Sequence, residues 1–548
     1  MKKLEQIFAN LLETKISIVS WICTFLSIIF LRVFEEQFIA RSQKLLGYQL
    51  AIEYIHNLYF FLIAFLLIWL FLSLYLRIKI IKLSYLMIWA SLLILLPPIL
   101  DMLKTKGDVF WSFYVIGDAN NLGRQFVTVF GDFPSGIVYF GTKIAFIIAI
   151  LFVAIAVFLK TKNFLKTVLG AFSAYVILFF MGSFPTLFVF AYNFVFGHQK
   201  VSEIRGFEIA RFFGSPQNIL GINSSDFMYA FPYKVELFYF PFLIFLLTML
   251  FYLAKKNKLF AVIKNFRYPQ MAYHAGLFFL GMGLGYLNFR ENFEISVFSL
   301  VSMLNLVLSI WLAWIASVVA NDIYDFEIDK ISNPDRPLPK EVYAVSEYAQ
   351  LGIVCFLLSL LGGITIGFNF FALLLVYQII AWFYSAPPFR LKKFPVVAAF
   401  VSSLASLMVI FLGYILMSPD QTIYTLSWRI ILLLVICYTI AIPIKDFKDI
   451  EGDKRYGIWT IPVIFGKRNA RLIVAIAHFC SYILSVFFLN EMKLFFWAIV
   501  FGVINYAIVI SKKIDPRRIF WWVLATVSIY LLIMIKIVFV DNLGKFNF

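Results

Sequence analysis

The chain has 548 residues, of which 62% are hydrophobic and 14% charged. Ordinary soluble domains carry roughly 45–50% apolar and about 25% charged residues, so bulk water is excluded as the main solvent of this chain. The net charge of +17 invites a nucleic-acid reading, but the basic residues are segregated by predicted membrane side, which topology and anionic lipid explain. No nucleic-acid partner is expected. Cys23, Cys355, Cys437 and Cys480 lie in apolar stretches without CxxC spacing, which supports neither a disulfide scaffold nor a zinc site. His56, His198, His274 and His478 are scattered, so a histidine-based metal centre is not expected.

From the N-terminus, Met1–Phe30 lacks a small-residue cleavage signature and reads as a retained helix rather than a cleaved signal. Apolar runs near 16–32, 58–77, 84–100, 139–159, 168–196 and 233–253 predict six membrane spans. With a cytoplasmic N-terminus, the inner loops carry Lys2 and Lys3, then Arg77, Lys79 and Lys82, then Lys160, Lys162 and Lys166. The outer loops are mixed in sign, as in Glu35, Glu36, Arg41 and Lys44. This is the positive-inside pattern, and it places the protein in a membrane as a multi-pass chain. Gly131, Ser135 and Tyr139 recur ninety positions later as Gly221, Ser225 and Tyr229, a weak repeat of two-helix units around long outer loops. Those loops, 101–138 and 197–233, are aromatic-rich and predict interfacial helices or a lid.

The basic stretch 255–269, with Lys255, Lys256, Lys258, Lys264 and Arg267 ahead of Pro269, reads as a cytoplasmic linker. It separates an N-terminal membrane domain, 1–254, from a second domain, 270–548. Nine further runs follow, near 270–288, 296–320, 347–367, 370–384, 395–417, 427–444, 471–489, 494–511 and 519–540. The fold class is therefore an all-α membrane protein of about fifteen helices, with its C-terminus outside.

Chemistry concentrates where the eighth span meets the cytoplasm, in NDIYDFEIDKISNPDRPLP. Asp322, Asp325 and Asp329 are spaced i, i+3, i+7, which on one continuous helix would put three carboxylates on a single face. Four spans later Asp446, Asp449 and Asp453 repeat that spacing in KDFKDIEGDKR, on the same predicted side. Six carboxylates at a membrane interface require a cation, and hard oxygen donors favour magnesium shared with substrate phosphates. With a diphosphate and two magnesium ions the cluster retains a charge of roughly −5, which Arg336, Arg390, Lys392, Lys393, Lys445 and Arg455 can offset. Between the clusters lies YSAPPFRLKKFP, whose basic residues can hold phosphate oxygens and whose Tyr384 can face an allylic cation. An ordinary positive-inside loop with an anchoring tyrosine explains the same stretch.

NDIYDFEIDKISNPDRPLP, YSAPPFRLKK and KDFKDIEGDKRYGIWTIPVIFG resemble the three hallmark stretches of the UbiA-type intramembrane prenyltransferases. The resemblance covers the C-terminal half. It implies nine helices ringed around a lipid-accessible cavity, capped on the cytoplasmic side by the aspartate-bearing loops. It further implies that Asn321, Asp322, Asp325, Asp329, Asp446, Asp449 and Asp453 hold Mg2+ and a polyprenyl diphosphate, with Arg336, Lys392 and Lys445 as further phosphate contacts. The expected reaction is ionisation of the diphosphate and attack by an aromatic or lipid acceptor. The spelling EIDKISNPDRPLP leans toward members that alkylate chlorophyllide, homogentisate or archaeal glycerol lipids. Lys340-Glu341 stands where many members carry Ser-Gly, and the N-terminal half is not something the family requires.

Competing readings are transfer of a phospho-sugar onto a polyprenyl phosphate, and a lipid transporter or flippase role for the N-terminal half. The first six spans read as poor in ionisable residues, which argues against a transporter coupling site. An acceptor-binding or partner-docking module is the simpler expectation for that half.

Overall fold

The computed structural model describes residues 2–39, 48–107, 114–131, 139–197, 199–215, 227–292, 295–448, 450–455, 457 and 459–540. Among these residues the chain is helical throughout, and thirteen helices are long and apolar enough to cross a membrane. One compact unit runs up to Leu259 and a second from Phe260 onward.

In the N-terminal unit, α1 (Lys2–Glu13) precedes α2 (Ile18–Phe34), α3 (Tyr48–Leu76), α4 (Ser84–Ala90), α5 (Leu96–Thr105), α6 (Ala119–Val127), α7 (Phe140–Thr161), α8 (Phe164–Phe196), α9 (Gly206–Gly214) and α10 (Phe227–Lys264). Six of the membrane-length helices fall here, from Ile18–Ile39 to Ala230–Lys264. The third is interrupted: α4 passes through a 3₁₀ turn at Ser91–Leu95 into α5, which opens on Pro97-Pro98. Proline at a helix start costs no hydrogen bond, so the break is built into the sequence. Helix ends carry ordinary caps, such as Asn163 accepting from Lys166 N at 2.9 Å before α8 and Gly197 at φ 67° after it.

Short helices α6 and α9 lie inside the two stretches expected to be long outer loops. Ser135, Gly221 and Ser225 of the repeat, and His198, lie outside the described residues. The stretch read as a linker is largely helical, because nothing between Lys255 and Lys264 breaks a helix. α10 continues through it with one non-helical residue, Lys255 (φ −151°, ψ 63°). The chain turns only at Arg267 (φ 53°), just before Pro269 starts the next helix.

The second unit contains α11 (Tyr268–Asn288), α12 (Val297–Tyr324), α13 (Phe326–Ser332), α14 (Val345–Ile366), α15 (Phe368–Ser385), α16 (Pro395–Met417), α17 (Trp428–Ala441), α18 (Ile450–Arg455), α19 (Ile461–Leu489), α20 (Phe495–Ile510) and α21 (Pro516–Ile535). Seven of its helices reach membrane length and apolarity, and α11 and the apolar helix Trp428–Ile444 complete the expected set. α11 packs against α12 and α16, α12 against α14 and α15, α16 against α17, α17 against α19, α19 against α20, and α20 against α21.

The tightest seam joins α11 to α16. A methyl group on Gly281 would lie 1.9 Å from the Ile410 carbonyl oxygen, and one on Gly413 would lie 2.0 Å from that of Phe278. Two backbones therefore touch directly, the arrangement that small residues permit between membrane helices.

Candidate functional site

The first aspartate motif does not occupy one helix face. α12 ends at Tyr324, Asp325 adopts φ −102° and ψ 10°, and α13 restarts at Phe326. This joint divides the three carboxylates into two groups with different partners.

Asp322, buried on the last turn of α12, is saturated. Its Oδ1 accepts from Arg267 Nη2 at 2.6 Å and Arg336 Nη1 at 3.1 Å, and its Oδ2 from Asn265 Nδ2 at 2.8 Å and Tyr348 OH at 3.2 Å. Asp329 on α13 shares Arg336 Nη1 with it and accepts from Asn333 Nδ2 at 3.1 Å. Arg336 is held by the turn that follows, in which Lys340 N bonds to Arg336 O at 3.0 Å and Glu341 N to Leu338 O at 2.9 Å. Glu341 sits at φ 56°, the left-handed conformation that a glycine at this position would adopt without steric cost.

Asp325 points to the other side. Its Oδ1 accepts from Arg390 Nη2 at 3.0 Å and from Lys392 Nζ, and the same Nζ lies 3.1 Å from Asn321 Oδ1. Asn321 Oδ1 also accepts from Ser385 Oγ at 3.3 Å. Arg390 reaches this point because its own backbone is left-handed at φ 42°, and its Nη2 also donates to the Tyr324 carbonyl at 3.0 Å. Tyr384 is half-buried on the last turn of α15 beside Ser385.

The second motif begins in a 3₁₀ segment, Ile442–Lys448, which carries Asp446, and continues in α18. Ile444 and Phe447 anchor that segment in a core with Ala470, Val474, Val509 and Ile519. α18 packs against α13, which brings the segments bearing the two aspartate motifs side by side. Trp459 N, just beyond the second motif, bonds to the Lys393 carbonyl at 3.3 Å and ties that motif to the basic loop. Asp449 lies outside the described residues, as do the side chains of Lys445 and Asp453. Arg455 is exposed at the end of α18. Among the described residues, no three acidic, histidine or cysteine side chains already form a metal-ready group.

Burial pushes the Asp329 carboxyl up to about 6, against the pull of Arg336. Burial lowers the Lys392 ammonium from its ordinary range while Asp325 opposes that shift. Oxygen donors converge in two places: one nitrogen, Lys392 Nζ, touches both Asn321 and Asp325, and another, Arg336 Nη1, touches both Asp322 and Asp329. Hard carbonyl and carboxylate oxygens that share one cationic atom fit a magnesium ion by donor chemistry. Sequence reasoning missed Asn265, Arg267, Tyr348 and Ser385. Arg267 stood in a stretch read as a linker, and no spacing rule marks Tyr348, twenty-six residues from the carboxylate it meets.

Residues 294–519 match the UbiA prenyltransferase family. The match does not reach the N-terminal unit. Among curated relatives, homogentisate phytyltransferase of Synechocystis sp. is 32% identical over 184 residues, covering 30% of this chain and 57% of its own. Digeranylgeranylglyceryl phosphate synthase of Sulfolobus acidocaldarius is 30% identical over 177 residues, 30% of this chain and 58% of its own. The chain thus spans a little over half the length of these two relatives. A solved UbiA homologue from Archaeoglobus fulgidus, bound to GPP and Mg2+, is 20% identical, covers 51% of this chain and 99% of its own, and aligns with a TM-score of 0.40.

Proposed function

We propose that the C-terminal unit is an intramembrane prenyltransferase that moves a prenyl group from a polyprenyl diphosphate to an aromatic or lipid acceptor, with Mg2+ as its cofactor. The observation that carries this reading is the convergence of Asn321 and Asp325 on Lys392, with Arg390 beside them, next to the packed segments α13 and α18. The names of the relatives support the same reaction class, both being enzymes that alkylate with long prenyl groups.

In this reading Asn321, Asp325 and Asp329, with Asp446, Asp449 and Asp453 from the second motif, hold the metal, which supplies charge neutralisation of the departing diphosphate. Lys392 and Arg390 bind the phosphate oxygens, and Arg336, Lys445 and Arg455 complete the cationic wall. Stabilising a leaving group by preorganised charge in a water-poor site is the largest contribution such a scaffold makes. Tyr384 borders the point where the allylic cation develops, with its ring available for cation–π attraction. Asp322 plays a different part: saturated by four partners, it fixes Arg267, Arg336 and Tyr348 around the site. The aspartate motifs face the cytoplasm in this arrangement.

The test is incubation of the purified protein with labelled geranylgeranyl diphosphate, magnesium and a membrane lipid extract. Labelled lipid and released diphosphate are expected, with Asp325→Asn lowering the rate by about 100-fold or more. Undiminished product from Asp325→Asn and Asp446→Asn would overturn the reading.

A further inference from the structure

The N-terminal unit contains ionisable groups where a bilayer makes them expensive. His56 on α3 is fully buried, and its Nε2 lies 2.8 Å from Tyr114 OH. Its Nδ1 lies 3.3 Å from Glu236 Oε1 on α10, and Tyr114 OH lies 3.0 Å from Tyr239 OH, one turn beyond Glu236. All four side chains are at most 4% exposed. On the preceding turn of α3, Glu53 accepts from Gln37 at 2.8 Å. Asn57, next to His56, accepts from Arg32 at 3.0 Å, and Arg32 pairs with Glu36 at 2.8 Å. Asp101 of α5 is buried as well, accepting from Gly141 N at 2.7 Å. The expectation that these spans are poor in ionisable residues is therefore corrected. Glu36 belongs to a helix end rather than an outer loop, and Glu53, Asp101 and Glu236 stand singly on three different helices, which hides them from any run-based reading.

Two further features distinguish this network from ordinary helix–helix glue. Glu236 lies between two prolines inside α10, Pro232 and Pro241. Each removes a backbone donor from the helix ladder around the segment that carries Glu236. The neighbouring third span is broken by its 3₁₀ turn and Pro97-Pro98. Discontinuous helices around buried carboxylates and histidines form the ion-coupling sites of membrane transporters. Phe60, which packs edge-on to Tyr114 at 5.8 Å, also lines a small apolar crevice of about 60 Å³ together with Phe61, Ile94 and Pro97. Arg32 lies 4.9 Å above the Phe61 ring and donates to the Ile94 carbonyl at 2.7 Å.

We propose that the N-terminal unit is a proton-coupled membrane module, in which the Glu236–His56 pair takes up and releases one proton as the proline-bracketed segment of α10 moves. The proton passes between Glu236 Oε1 and His56 Nδ1. His56 Nε2 keeps its own hydrogen, shared with the Tyr114 oxygen at 2.8 Å, so the transfer breaks one O–H bond and makes one N–H bond, or the reverse, turning a carboxylic acid and a neutral imidazole into a carboxylate and an imidazolium. The groups facing the pair are Tyr114 and Tyr239, and the other buried charges among the described residues of the unit are Arg32, Glu36, Glu53, Asp101 and Lys234, the last donating to the Phe212 carbonyl at 3.1 Å.

The experiment is infrared difference spectroscopy of the full chain in lipid nanodiscs between about pH 5 and about pH 8, the range in which histidine-linked sites titrate. A protonated-carboxyl band that is lost in Glu236→Gln and shifted in His56→Gln is expected, with prenyl transfer retained by both variants. A difference spectrum that neither substitution alters overturns the proposal. Should Glu236→Gln fail to fold, the His56→Gln spectrum decides alone: a shifted band supports the pair, an unshifted one refutes it.

Discussion

Asp322 and Asp325, three residues apart, are assigned opposite duties by their surroundings, and the difference is measurable. Asp322→Asn removes the counter-charge of Arg267 and one of the two carboxylates that Arg336 shares, a loss of about 3 kcal/mol that a thermal melt would register. Asp325→Asn, at a more open joint, should leave the melting temperature nearly unchanged while abolishing binding of a magnesium–diphosphate complex measured by calorimetry. Asp329 adds a pH signature. Its carboxyl is raised from 3.8 to about 6 by burial, so the folded chain holds an extra proton across that window. Stability contributed by this group therefore declines as pH rises from about 4 to about 6, then levels off. Diphosphate binding should rise over the same window as the carboxylate becomes available, and Asp329→Asn should flatten both profiles. The spacing in the sequence drew attention to all three residues. It could not reveal that a helix ends between them, because i, i+3, i+7 is equally compatible with two short helices and a joint.

At the scale of helices, membrane-length segments were legible from apolarity alone, and their number agrees with the expected fifteen once α11 and the Trp428–Ile444 helix are included. α11 is too polar and glycine-rich for a hydropathy criterion, since Gln270, His274, Gly276, Gly281, Gly283 and Gly285 dilute its apolar residues. Those glycines are unequal. Gly281→Ala should force α11 and α16 apart and destabilise the unit by about 1–3 kcal/mol. Gly276, with nothing within 4 Å of its would-be methyl group, should accept alanine with no loss, which makes it the control in the same melt. Sequence shows both as glycine in an apolar run; only the approach of another backbone tells them apart.

For the molecule as a whole, the basic loops predict orientation. Single cysteines introduced at Lys79, Lys162 and Lys340 in a background without the natural thiols should all be labelled from the cytoplasmic face, and one at Glu291 from the opposite face. Labelling of Lys79 and Lys340 from different sides would dissolve the cytoplasmic placement of the aspartate segments. The family resemblance could be read because its motifs are contiguous words of ten to twenty residues. The buried charges of the N-terminal unit could not be, since each is a single letter inside an apolar run and acquires meaning only when four segments meet. One consequence of the glycine seam reaches the chemistry. Arg267 immediately precedes α11 and Lys392 closely precedes α16, so the clamped pair of helices works as a calliper whose jaws are two cationic side chains. Its gauge is set by Gly281, about 20 Å from Arg267, and by Gly413, about 30 Å from Lys392, at 1.5 Å per residue. Enlarging either glycine would retune which headgroups the jaws accept without altering any charged residue.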